Sequence, residues 1–156
     1  MIKPYVKIPR TMDTELEWTD GLKFISTTGT KHRILLDASP EHGGKDEGAR
    51  PMEVLLSALG GCTGMDLVTI LKKKKRNIQN LKIKLYGERM PSHPHIFRQI
   101  TMEYILWGSD IADDDVQWAL NLSLDKYCSV AAMLKKSCKL NFKWRIHRDK
   151  AKASQK

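Results

Sequence analysis

The fold class this sequence predicts is α+β: antiparallel sheet strands and helices in separate layers, organised around one long buried central helix. Three observations predict it. From Val54 to Leu71 nearly every residue is apolar or small, and a helix apolar on all sides is a buried one. Upstream, short β-rich runs are joined by Asp20-Gly21 and Thr28-Gly29, which are hairpin signals. Downstream, Ile78–Tyr86 and Leu140–Ile146 alternate with a period of two, as half-buried strands do. Runs of strands followed by runs of helices place the two in separate layers. At 156 residues the chain can bury a core without metal or disulfide help. It is read as a single domain over residues 1–148 with a basic tail over 149–156.

Taken in order, residues 1–12 are extended and poorly patterned. A meander follows: Leu16-Glu17-Trp18, then Leu22 to Ile25, then His32 to Leu36. Residues 37–49 form a polar, glycine-rich loop that either covers a pocket or simply connects. The central helix opens at Pro51, whose fixed φ suits a first turn, with Glu53 favouring the positive end of the helix dipole. It leaves into Lys72 to Arg76, cations at the end the dipole prefers. Pro51 to Lys75 would span roughly 37 Å. Gly60 and Gly61 each cost about 1 kcal/mol against alanine in a helix interior, so close approach of a backbone or a substrate beside Cys62 is expected. After the lysine run, Leu81, Ile83 and Leu85 share one strand face and Lys82 and Lys84 the other. Met90 to His95 turns the chain into a strand from Ile96 to Trp107. A second helix starts after Gly108 with Asp113, Asp114 and Asp115 in its first turn and Val116, Ala119, Leu120 and Leu122 inward. The pattern breaks at Tyr127-Cys128-Ser129, resumes as a short helix over Val130–Leu134, and closes on the last strand.

Composition excludes several classes. No early run has the h-region of a signal peptide. Glu53, Ser57 and Asp66 interrupt the apolar helix, which argues against a bilayer span, so a cytoplasmic protein with no membrane partner is expected. The formal net charge is +9. Its basic residues cluster at Lys72–Arg76 and in the tail, which reads as a solvated helix end plus a terminus. No aromatic residue interleaves the lysines, so a nucleic-acid partner is not indicated.

Three cysteines, Cys62, Cys128 and Cys138, without a C-x-x-C, signal neither a disulfide framework nor a zinc site. Free cysteine is most often core packing; the glycines beside Cys62 weaken that reading. Cys128 sits at a break before a helix, whose N-terminus would lower a thiol pKa. Cys138 reads as structural. His93 and His95 share a face in an extended segment but lack a third ligand for a metal. No nucleophile elbow, P-loop or dinucleotide fingerprint is present, and no cofactor is expected. From the residues alone, the chain is an α+β domain with a candidate redox thiol.

Pro51-Met-Glu-Val-Leu-Leu-Ser-Ala-Leu-Gly-Gly-Cys62-Thr-Gly-Met-Asp66 resembles the central-helix segment of the OsmC/Ohr family, and Leu124-Asp-Lys-Tyr-Cys128-Ser-Val-Ala-Ala-Met133 is similar to its second cysteine segment. His93-Pro-His-Ile-Phe97 resembles a linking motif of a poorly characterised branch. The resemblance covers about Trp18 to Ile146. It implies an intertwined homodimer with the central helices buried between subunits, and a thiol peroxidase for organic hydroperoxides. Cys62 would attack the peroxide and become a sulfenic acid. Cys128 would resolve it as a disulfide, and an external dithiol, of lipoyl or thioredoxin type, would reduce that disulfide. Better-known branches follow the helix-opening proline with a glutamate paired to an arginine. Here that position is Met52, Glu53 comes one residue later, and Arg50 is the arginine nearest in sequence. The candidate catalytic residues are thus Cys62, Cys128, Glu53 and Arg50. A binding or structural member of the same fold is the alternative, with a basic nucleic-acid module behind it.

Overall fold

The computed structural model describes residues 11–148; the extended segment expected at the start and the basic tail fall largely or wholly outside them. The chain divides between Val54 and Leu55 into two compact units.

The first unit carries an antiparallel meander, β1 (Thr14–Asp20), β2 (Lys23–Thr28) and β3 (Arg33–Leu36), in the order β1-β2-β3. Gly21 supplies the left-handed φ of 54° that the β1–β2 turn needs. Direct pairing puts Trp18 opposite Phe24, and Leu16, Ser26 and Ile34 in one row. Since side chains alternate along a strand, Leu16, Trp18, Phe24 and Ile34 share a face, and all four are exposed. The loop after β3 is tied together by its own backbone. The Asp37 carboxylate, 3% exposed, receives the backbone N–H groups of Ala38, Lys45 and Glu47. Those bonds, from Glu47 foremost, hold its pKa below the ordinary carboxylate range.

The central helix, α1, runs Pro51–Lys73. Arg50 occupies the cap position, and the Glu53 carboxylate receives the Arg50 N–H at 2.9 Å, half of a capping box. The second unit contains the rest of α1 and a second sheet of β4 (Asn80–Arg89), β5 (Phe97–Trp107) and β6 (Lys139–His147), ordered β4-β5-β6. β4 pairs antiparallel with β5, as the hairpin at Met90–His95 dictates, and its Leu81, Ile83 and Leu85 alternate with exposed Lys82 and Lys84 as expected. β6, however, lies parallel to β5, so this sheet is mixed rather than antiparallel. The reason is the connection: α2 (Asp113–Leu122), a π turn (Ser123–Tyr127) and α3 (Ser129–Leu134) carry the chain back across the sheet, and only a crossover of this kind allows a parallel neighbour.

The core of the second unit is built from Leu59, Leu67 and Leu71 of α1, Ile100, Met102, Tyr104 and Leu106 of β5, and Val116 and Leu120 of α2, all fully buried. By length and composition α1 could cross a bilayer; here its inner face lies in this core. The expectation of burial on all sides does not hold within one chain. Ser57, Ala58, Gly61, Met65 and Thr69 are exposed, at helical spacing along one side.

Glycine explains how closely α1 and β4 approach. A Cβ on Gly60 would meet Leu85 Cδ1 at 2.7 Å, and one on Gly64 would meet Ile83 Cδ1 at 2.7 Å. Gly61 faces open space. The expected close approach is therefore to strand side chains, through Gly60 and Gly64. Lys74 and Arg76, expected to be solvated, instead pair with the Asp115 carboxylate at 2.6 and 2.5 Å. Asp115 is 5% exposed at the start of α2, where the dipole and both cations favour its charge, Lys74 foremost, and they hold its pKa low.

Candidate functional site

Cys62 faces inward from the middle of α1 and is half-buried. Asp66 follows one turn later on the same face, also half-buried. Cys128 comes from the other side of the crossover, where it caps the N-terminus of α3 and is 2% exposed. The two sulfurs and a carboxylate oxygen of Asp66 all lie within 4.8 Å of one another. Two of the four candidate residues named from the sequence are thus brought together, and a third group, Asp66, joins them.

The crossover is built to hold this cluster. Ser123, fully buried at the head of the π turn, donates its hydroxyl to Asp66 Oδ2 at 2.8 Å, and its carbonyl receives the Cys128 N–H at 2.8 Å. One residue therefore ties the acid on α1 to the thiol on α3. Widened turns of this kind are commonly found where a side chain must be re-aimed at a functional site. Behind the cluster, the Tyr104 hydroxyl donates to Thr63 Oγ1 at 2.7 Å, and the Thr63 hydroxyl donates in turn to the Leu59 carbonyl at 3.0 Å. Burial pushes the Tyr104 pKa up to about 12, so this phenol stays a neutral donor.

The two thiols differ electrically. Cys128 Sγ receives the Ala131 N–H at 3.3 Å, the helix-terminus contact that favours a thiolate. Burial and the hydrogen bond with Cys62 oppose it and win, pushing the Cys128 pKa up to about 12. The expectation of a lowered pKa at this position is reversed, because a six-residue helix offers little dipole while desolvation acts in full. Cys128 is thus a protonated S–H facing the more exposed sulfur of Cys62. Cys138 is buried, donates to the Leu134 carbonyl at 3.4 Å and has its pKa raised by burial, in keeping with a structural thiol.

Arg50 and Glu53 belong to the first unit. The Arg50 guanidinium binds Asp46 at 2.5 Å and the Gly48 carbonyl at 2.9 Å, and Glu53 caps α1. His93 and His95 lie in the β4–β5 turn with ring centroids 4.0 Å apart, and His95 Nδ1 is 2.9 Å from the Met90 carbonyl. An open apolar groove of about 500 Å³ runs between α1 and β4, lined by Gly60, Gly61, Gly64, Met65, Leu81 and Ile83 among others. Cys62 is not among its lining residues.

Fold and cluster together define the class: an α+β protein whose central helix presents a cysteine to a second, buried one. A family model described as OsmC-like protein matches residues 44–143, and the chain belongs to the OsmC-like family. It is 35% identical over 135 residues to Protein YhfA of Escherichia coli (strain K12), a match covering 86% of this chain and 98% of that protein. A hypothetical protein from Aquifex aeolicus VF5 has the same fold, with a TM-score of 0.78 and 34% identity over 89% of this chain and 98% of its own. An organic hydroperoxide resistance protein from Elizabethkingia anophelis, with crystallant-derived thiocyanate bound, matches with a TM-score of 0.70 over 91% of this chain and 100% of its own. Identity there is 12%, so that likeness is one of fold.

Proposed function

We propose that this chain is a thiol-dependent peroxidase that reduces organic hydroperoxides, with Cys62 as the attacking sulfur and Cys128 as the resolving one. The observation that carries this reading is the pair of unlike thiols within 4.8 Å, one half-exposed and one buried and protonated. The Cys62 thiolate attacks the distal oxygen of the peroxide. The O–O bond breaks, the leaving alkoxide takes a proton and departs as an alcohol, and Cys62 becomes a sulfenic acid. That oxidation removes the negative charge that opposes ionisation of Cys128. The Cys128 sulfur then displaces water from the sulfenic acid, forming a disulfide. A disulfide requires about 2.05 Å between sulfurs, so one side chain must rotate to close the remaining gap. An external dithiol of lipoyl or thioredoxin type would restore both thiols, as a reducing, cytoplasmic compartment allows.

The working form is proposed to be a homodimer. The apolar stripe of α1 around Gly61 and Met65 and the exposed face of β1–β3 support this. A second reading, a non-catalytic or small-ligand-binding member of the fold, is favoured by the bonds of Arg50 and Glu53, which serve the loop and the helix cap. A nucleic-acid role is weakened by the pairing of Lys74 and Arg76 with Asp115.

The test is consumption of an alkyl hydroperoxide under turnover with excess dithiol. Cys62→Ser should abolish it and Cys138→Ser should leave it unchanged. Glu53→Gln separates the two readings, because glutamine still caps a helix: a rate loss of tenfold or more with unchanged stability assigns Glu53 to the chemistry. Wild-type protein that consumes no hydroperoxide would favour the binding protein.

A further inference from the structure

The donor set of the cluster is chemically richer than a dithiol. Two sulfurs and a carboxylate oxygen within 4.8 Å of one another are close to what a tetrahedral ion requires, since metal–sulfur bonds of about 2.3 Å and metal–oxygen bonds of about 2.0–2.2 Å set donors somewhat under 4 Å apart. Small side-chain rotations close that gap. The ligands come from two segments, α1 and the crossover, so the site is formed only in the folded chain. Its outer shell is already present. Ser123 holds Asp66 Oδ2, leaving the other carboxylate oxygen available, and the Ala131 N–H points at the Cys128 sulfur, a contact that stabilises a bound thiolate. Cys62 and Asp66 are half-buried, which gives an ion a way in.

We propose that reduced Cys62, Asp66 and Cys128 form a binding site for one divalent cation of the zinc and cadmium type. Thiolate donors select such ions over magnesium or calcium. Binding displaces the protons of both thiols, and the two thiolates and carboxylate outweigh the ion's charge by one. An ion held there occupies the sulfur lone pair that would otherwise attack a peroxide. Conversely, joining the sulfurs removes two of the three ligands: an organic hydroperoxide takes two electrons from the thiolates and two protons from solvent, leaving alcohol, water, a disulfide and a free ion. The site therefore exists only in the reduced protein. The binding half of this proposal does not rest on peroxidase activity.

The experiment is titration of the reduced, metal-free full-length chain with cadmium, read by the sulfur-to-metal charge-transfer band, and with zinc in competition with a chromophoric chelator. One ion per chain is expected. Cys62→Ser and Cys128→Ser should lose the site, and Cys138→Ser should retain it. Ser123→Ala, which removes an outer-shell partner, should weaken binding roughly 10–100-fold, and Asp66→Asn should weaken it at least as much. Unchanged affinity in Asp66→Asn, retention in Cys128→Ser, or the absence of saturable binding would overturn the proposal. A protein that binds the ion but consumes no hydroperoxide would uphold this site and sink the peroxidase reading; the opposite pair of results would do the reverse.

Discussion

Ser123 Oγ and Asp66 Oδ2 are 2.8 Å apart although 57 residues separate them in sequence. This bond links the central helix to the crossover that delivers Cys128, whose N–H the Ser123 carbonyl receives. Ser123→Ala should cost about 1–2 kcal/mol, because the half-buried carboxylate loses its donor. The same change should slow closure of the Cys62–Cys128 disulfide. Urea unfolding of the reduced protein and the rate of thiol loss after a peroxide pulse measure the two effects separately.

Alkaline pH should destabilise the reduced protein through Cys128 and Tyr104. Both have folded pKa values raised to about 12, from 9.0 and 10.0 respectively, mainly by burial. A raised folded pKa means that the unfolded chain releases its proton first, so stability is full below the unfolded value and is lost as pH climbs toward 12. The urea midpoint should therefore fall from about pH 9 upward. In Cys128→Ala the fall between pH 9 and 10 should be shallower, carried by buried Cys138 alone, and should steepen above pH 10, where Tyr104 joins it.

Gly61 and Met65 test the proposed homodimer. A Cβ on Gly61 meets nothing within 4 Å in one chain, so Gly61→Ala should stabilise an isolated chain by about 1 kcal/mol through helix propensity alone. Met65 is 73% exposed, and Met65→Glu should leave an isolated chain nearly unaffected. If α1 packs on a second copy through this stripe, Met65→Glu should yield monomers by light scattering, and Gly61→Ala should lose its stabilising effect.

Much of the fold was legible because its signals are local. Alternation placed β4 and β6, glycine turns placed the β1–β3 meander, and Pro51 with Glu53 marked the start of α1. What escaped depends on distant contacts. The parallel pairing of β6 with β5 is set by how a crossover packs, and no local pattern in Leu140–Ile146 encodes it. Burial of α1 on all sides is not met within one chain, because in sequence an apolar face looks the same whether a sheet or another molecule covers it. In the site, Cys62 and Cys128 were found as motifs. Asp66 had a signal, since a carboxylate one turn after a cysteine must share its face, but it registered only as a polar interruption. Ser123 had none: its role depends on a π turn, and nothing in Ser-Leu-Asp-Lys-Tyr distinguishes that turn from the end of an ordinary helix.

The most direct measurement is mass mapping of disulfides after one equivalent of an alkyl hydroperoxide is added to the reduced protein. A Cys62–Cys128 bond should form in most chains, with Cys138 left free and a trapped sulfenic acid on Cys62 in Cys128→Ser. Free thiols at both positions after the peroxide is added, or a bond to Cys138 instead, would contradict the proposed mechanism.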